Sequence, residues 1–236
     1  MKKPKIRNYE RSGPFMRGLK ALLRLFIKRP TIHGNIELPD QVLLLANHSG
    51  AAGPFSLSLF FPKLFVPWGA HPMTEGYCSR WRYLYYIFYQ QKLKYKKVPA
   101  FILATLFGLI SKMLYNGMHV IPTYQDSRLL SSISISMEHL DCHNPVLVFP
   151  EESEDGYHEV LAKYNAGFVV LAKTYLKKRQ IDLPIIPIYF SKKERIILVG
   201  KPEMTSSLLT SGMTRDEIAE HFRKRTNDLY AAYKNE

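Results

Sequence analysis

The sequence predicts an α/β domain built on a mixed, largely parallel sheet flanked by helices, with an amphipathic helix ahead of it. Three observations carry this prediction. "QVLLLA", "NPVLVFP" and "LPIIPIYF" read as short strands, each with an unbroken apolar run, the signature of strands buried on both faces. "SRLLSSISISMEHL" and "YNAGFVVLAKTYLKK" lie between such runs and have helical length. Strands that alternate with helices favour parallel pairing. The 236 residues suffice for one core, and 46% hydrophobic with 22% charged residues is a globular balance. Two cysteines, Cys78 and Cys142, fit a reducing, cytoplasmic setting.

Residues 1–30 form the first unit. They hold ten Lys and Arg against Glu10 alone, so they carry +9 of the chain's +13. Within "PFMRGLKALLRLFIKRP", Arg17, Lys20, Arg24 and Lys28 share one helical face, and Phe15, Leu19, Leu22 and Phe26 share the opposite one. Pro14 suits a helix start and Pro30 a stop. Such a helix fits a membrane interface, its cations against anionic headgroups. Charges interrupt its apolar run too often for a secretory signal.

The α/β domain is expected over 31–236. "VLLLA" opens it as a strand. "YLYYIFYQQKLKYKK" reads as a helix with core aromatics and solvated lysines, in preference to a base-stacking nucleic-acid surface. "VPAFILATLFGLIS", 98–111, has no charge, yet falls short of the roughly 20 residues that span a bilayer. It is expected to be buried or half-sunk. "GMHVIPTY" and "RIILVG" read as strands. "TRDEIAEHFRKRTNDLYAAYKNE" reads as a final helix, capped by Thr214 with Glu217 three residues on.

Sites in such sheets gather where strand ends open into loops. Two loops qualify here: Asn47 and His48 after "VLLLA", and Pro150, Glu151, Glu152, Ser153 and Glu154 after "PVLVF". A histidine beside carboxylates suits general-base chemistry. Other chemistries find less support. "HLDCH", His139–His143, lacks an adjacent fourth ligand for zinc. Neither a Gly-x-Ser-x-Gly elbow nor a P-loop occurs.

Over roughly residues 30–205 the chain resembles the glycerolipid (lysophospholipid) acyltransferase superfamily. "ANHSGAAGP" is similar to that family's Asn-His-x-x-x-x-Asp block. "NGMHVIPTY" stands where a Gly-led second block is expected, and "LVFPEES" resembles Phe-Pro-Glu-Gly-Thr-Arg. "YNAGFVVLA" resembles the helix that follows, and "LPIIPIYF" the fourth block. The resemblance implies a reaction in which His48 deprotonates an acceptor hydroxyl that attacks an acyl thioester. Glu151 and its neighbours would then form the acceptor site. Acyl-CoA or acyl-carrier protein would serve as co-substrate, with no other cofactor and no metal. The implied setting is phospholipid biosynthesis or related lipid metabolism, peripheral to the cytoplasmic face of an anionic membrane, with a lipid-related acceptor and no nucleic acid.

Departures from the pattern are informative. The aspartate's position is Gly53, so the carboxylate that should orient His48 is missing. In a Ser-His-Asp triad, loss of the equivalent charge costs about 10⁴ in turnover. Asn47, His71, Glu75 and the surplus acid Glu152 are the candidate supports. Glu152-Ser153-Glu154 replaces Gly-Thr-Arg, and Pro122-Thr123 replaces an Asp-Arg pair. An acidic acceptor site of this kind favours a neutral or amine-bearing acceptor over a phosphorylated one. The alternative from a different class is a catalytically inactive lipid- or acyl-chain-binding protein on the same fold.

Overall fold

The computed structural model describes residues 6, 8–9, 12–50, 52–152 and 156–235. Its strands are β1 (Thr31–His33), β2 (Leu43–Ala46), β3 (Val66–Ala70), β4 (Ile121–Thr123), β5 (Val146–Val148), β6 (Pro184–Ser191), β7 (Ile196–Val199) and β8 (Glu203–Met204). They form one sheet in the order β1-β7-β6-β2-β5-β3-β4, with β8 paired to β6 beside that path. Pairing is parallel from β6 through β4 and between β1 and β7, and antiparallel where β7 and β8 meet β6. The fold is therefore α/β with a mixed, mostly parallel sheet.

β2 lies at the centre, which explains its unbroken apolar run. Leu43 and Leu45 face one side with Val146, Val148 and Ile185, beneath helices α5 (Leu129–Asp141), α6 (Gly167–Arg179) and α8 (Arg215–Asn235). Val42, Leu44 and Ala46 face the other, with Leu147, Ile186 and Leu57 of α2 (Ala52–Phe60). Alternate side chains of one strand thus enter two separate cores. α8 begins with the expected capping box: the Thr214 N–H donates to Glu217 Oε2 at 2.7 Å, and the Glu217 N–H donates to Thr214 Oγ1 at 3.3 Å. α7 (Thr205–Thr210) is a short link before it.

Between β3 and β4 the chain leaves the sheet and builds a helical lobe. A 3-10 turn, His71–Thr74, leads to α3 (Tyr77–Arg82), a π-helical segment over Tyr83–Lys92, and α4 (Lys97–Gly117). Met73, Leu84, Tyr89, Ala100 and Ala104 form this lobe's own small core. The tyrosine-rich run divides: Tyr89 is buried and Tyr85 stacks on Trp81 at 4.8 Å, whereas Tyr86 faces out.

Two helices differ in part from expectation. α4 is 21 residues, longer than the uncharged run, and by length and composition it could cross a membrane. It is buried only along Ala100, Ala104, Gly108, Ser111 and Leu114. Its outer stripe, including Val98, Phe101, Leu106 and Leu109, is exposed. The reason is that small residues at three- and four-residue spacing let α4 lie close on α3, and the bulky residues are left on the other side.

α1 (Pro14–Phe26) also sits differently. Its inner stripe begins at Met16, packed against Gly117, and continues through half-buried Leu19, Lys20 and Leu23. Phe15, Leu22, Leu25 and Phe26 are exposed. Lys20 and Arg24 are not simply outward cations. Lys20 Nζ donates to Ser12 Oγ at 3.2 Å, and burial followed by the nearby Arg24 charge lowers its pKa. The Arg24 guanidinium donates to the Leu59 carbonyl. Arg17 and Lys28 are exposed.

Candidate functional site

β2 delivers the histidine. As the strand ends, the buried Asn47 side chain takes over from the ladder. Its Nδ2 donates to the Phe190 carbonyl at 3.0 Å, and its Oδ1 accepts the Phe190 N–H at 2.7 Å. This two-way clamp onto β6 fixes the backbone at the residue before His48. The chain then turns through Ser49 at φ 43° and Gly50 at φ 64°, two successive left-handed residues. Ser49 is strained there and Gly50 is not. Through that turn, the Gly50 carbonyl arrives 2.5 Å from His48 Nδ1.

A carbonyl oxygen can only accept, so Nδ1 carries the proton and Nε2 keeps its lone pair. The imidazole lies 4.9 Å from Tyr157, nearly parallel, and 5.0 Å from Phe149, edge-on. Burial drives its pKa down from 6.5 to about 4, against the Gly50 bond, which raises it; the Lys92 charge lowers it a little further. At neutral pH the ring is therefore an uncharged base.

Glu151 reaches the same point from β5. The parallel register Leu45↔Val148 brings the two strand ends level. Glu151 Oε2 accepts the His48 backbone N–H at 2.9 Å. This carboxylate thus holds the histidine's backbone and not its ring. Burial raises the Glu151 pKa, opposed by the His48 N–H and by the charges of His158 and Lys92. Among the described residues, no carboxylate bonds to the His48 ring.

The other expected site residues divide. Glu152 pairs with Lys163 at 2.8 Å, and its N–H donates to the Lys163 carbonyl at 3.0 Å. Lys163 thus sets one positive charge directly against Glu152, in a pair that is open to solvent. Ser153 and Glu154 lie outside the described residues. His71 and Glu75 follow β3, at the same end of the sheet, and approach each other at 3.9 Å. His71 stacks on Tyr124, Glu75 accepts from Ser79 at 2.6 Å, and neither bonds to His48. They do not take the aspartate's place.

Gly53 cannot hold one either. A Cβ at that position would fall 2.3 Å from the His48 carbonyl oxygen. The loop has closed over the space a side chain would need.

Sequence reasoning passed over Gly50, Phe149, Tyr157 and Lys92. Gly50 lies in the small-residue turn that marked the loop. The contributions of Tyr157 and of Lys92, whose Nζ is 5.8 Å from the Tyr157 ring, had no signal in the sequence. The "HLDCH" residues face elsewhere: His139 is buried, and Cys142 Sγ donates to the Ile6 carbonyl at 3.6 Å. No group of three or more His, Cys, Asp and Glu among the described residues could hold a metal ion. No protein-family model matches the chain, and no curated protein matches it in sequence.

Proposed function

We propose that this protein is a membrane-surface acyltransferase of the glycerolipid acyltransferase type, with His48 as general base. The observation that carries the proposal is the Gly50 carbonyl on His48 Nδ1, which leaves Nε2 as the basic nitrogen. In the family's pattern an aspartate does this orienting. A neutral carbonyl can fix the same tautomer, although it does not stabilise an imidazolium as a carboxylate would. The motif order along the chain and the meeting of the His48 and Glu151 loops at one sheet end support the same reading.

The proposed reaction is acyl transfer. An acceptor O–H or N–H attacks the thioester carbonyl of acyl-CoA or acyl-carrier protein while Nε2 takes its proton. The tetrahedral intermediate collapses, the C–S bond breaks, and the proton passes from Nε2 to the departing sulfur. Glu151 acts as a positioning residue through the His48 backbone. The lipid-related acceptor need not be uncharged, because Lys163 pairs with Glu152 and the Lys92 charge acts on Glu151.

A panel of acceptors with acyl-CoA and acyl-carrier-protein donors tests the proposal. His48→Ala should reduce transfer to background while circular dichroism stays as in the parent. Equal transfer by His48→Ala would refute the catalytic role. The second reading, an inactive lipid- or acyl-chain-binding protein, is favoured by the low basicity of a ring titrating near 4. It predicts that the parent binds acyl thioester, transfers nothing to any acceptor, and is matched in binding by His48→Ala.

A further inference from the structure

The exposed stripe of α4 is not explained by acyl transfer. Leu106 and Leu109 are 60% and 65% exposed, and Val98, Phe101 and Ile110 continue the stripe along the helix. Soluble domains rarely leave so continuous an apolar surface in water. Its setting is equally distinctive. Residues 77–117 contain seven Lys and Arg and no Asp or Glu. Arg82, Lys94, Lys96, Lys97 and Lys112 are all exposed, as are Tyr86 and Tyr95.

We infer that the α3–α4 lobe is a docking surface for an anionic bilayer. On this arrangement α4 lies in the plane of the interface, its bulky stripe sunk below the headgroups. The lysines meet lipid phosphates, and the amphipathic rings of Tyr86 and Tyr95 sit at headgroup depth. The inference extends the membrane-surface part of the proposed function and is independent of its catalytic part.

Two other arrangements fit less well. A second copy of the chain would set two surfaces with a large excess of cations against each other, which like-charge repulsion opposes. A spanning α4 would have to leave the lobe. Arg80, 4% exposed, donates from α3 to the Gly108 carbonyl at 3.2 Å and to the Glu75 carbonyl, and the Ser111 hydroxyl bonds the same Gly108 carbonyl. Pulling α4 away would break the Arg80–Gly108 bond and take Ala100 and Ala104 out of the lobe's core, leaving Met73, Leu84 and Tyr89 uncovered. α4 is held sideways.

The tip of the lobe also touches the candidate site. Lys92 sits beside the Tyr157 ring, and Leu93 Cδ2 is 3.8 Å from where a Cβ on Gly50 would stand. Docking through α4 would therefore bring the His48 loop close to the lipid surface.

The full chain is floated with phosphatidylcholine vesicles, with and without phosphatidylglycerol. The parent should bind the anionic vesicles. Leu106→Asp combined with Leu109→Asp should lower that partition by about tenfold or more, because two side chains lose their apolar burial. Both positions are exposed, so the lobe's core is untouched. A separate Leu109→Trp variant reports position directly: its fluorescence should be quenched by lipids brominated in the acyl chain. Unchanged flotation of the double variant, or an unquenched Leu109→Trp on vesicles that bind it, overturns the inference. So does burial of the stripe in a dimer seen by sedimentation in the absence of lipid. His48→Ala should float as the parent does, so lost transfer with intact flotation strikes the catalytic reading alone.

Discussion

Gly50 and Gly53 show how one loop sets backbone, and no carboxylate, around the His48 ring. Gly50 turns its carbonyl onto the His48 ring, and Gly53 leaves room for the His48 carbonyl that the turn displaces. From sequence alone, Gly53→Asp should restore the spacing that the resemblance implies and raise activity towards hydroxyl acceptors where the loop geometry permits it. The structure reverses this expectation. The new Cβ would meet the His48 carbonyl oxygen at 2.3 Å, and backbone there cannot move without moving the imidazole. Gly53→Asp should destabilise the fold by about 1–3 kcal/mol and lower transfer. A thermal melt beside the transfer assay measures both, and a stable, faster variant would contradict it. Titration offers another test. Burial lowers both His48 and His139 to about 4. Between about pH 6.5 and 4 these two rings therefore bind more protons in the unfolded chain than in the native one. Their contribution to stability falls as pH falls through that window, with the raised Glu151 pKa working the other way. The buried His139 contributes up to about 3 kcal/mol at neutral pH, and the half-buried His48 less. Urea midpoints at neutral pH and near pH 4.5 would reveal this slope; equal midpoints would show that the rings are not buried as described. His48 and Glu151 were legible in the sequence because each follows an apolar strand at a loop. The acceptor on Nδ1 was not legible, because a backbone carbonyl has no letter of its own.

Among the elements, those whose residues faced a uniform environment were the readable ones. β2, β5 and β6 are buried on both faces, so their letters are apolar but for Ser191 at the end of β6. The N-terminus of α8 was readable because a capping box names its residues. Thr214→Ala should cost about 1 kcal/mol, measured by denaturant unfolding, as one helix N–H loses its acceptor. β1 was passed over, with its outer residues exposed, as was β3, whose Pro67 and Gly69 look like breakers. The π-helical segment was equally hidden, since no residue spacing distinguishes its register from an ordinary helix. Asn47 looked like part of a site motif and proves to be the clamp between β2 and β6. Asn47→Ala would leave the buried Phe190 N–H unsatisfied, at a cost of about 1–3 kcal/mol. Its second effect is the more telling one: transfer should fall further than stability alone accounts for, because His48 is the next residue. A melt as stable as the parent's would show that the clamp carries no load.

At the scale of the whole molecule, charge and apolar exposure coincide in two places, α1 and the α3–α4 lobe. They are in contact where Met16 packs on Gly117, so a single surface can engage both. The division of labour between them is testable. Residues 1–30 carry +9 of the net +13, and exposed cations near an anionic leaflet contribute about 1 kcal/mol apiece until salt screens them. α4 contributes mainly through its apolar stripe, which salt does not screen. Removing residues 1–30 should therefore weaken flotation most on phosphatidylglycerol vesicles at low salt, and should leave a residual, salt-insensitive binding that Leu106→Asp with Leu109→Asp abolishes. Flotation of the truncated chain equal to the parent's would remove α1 from the membrane contact. Complete loss on truncation would instead leave α1 as the sole anchor and strip the lobe of its role.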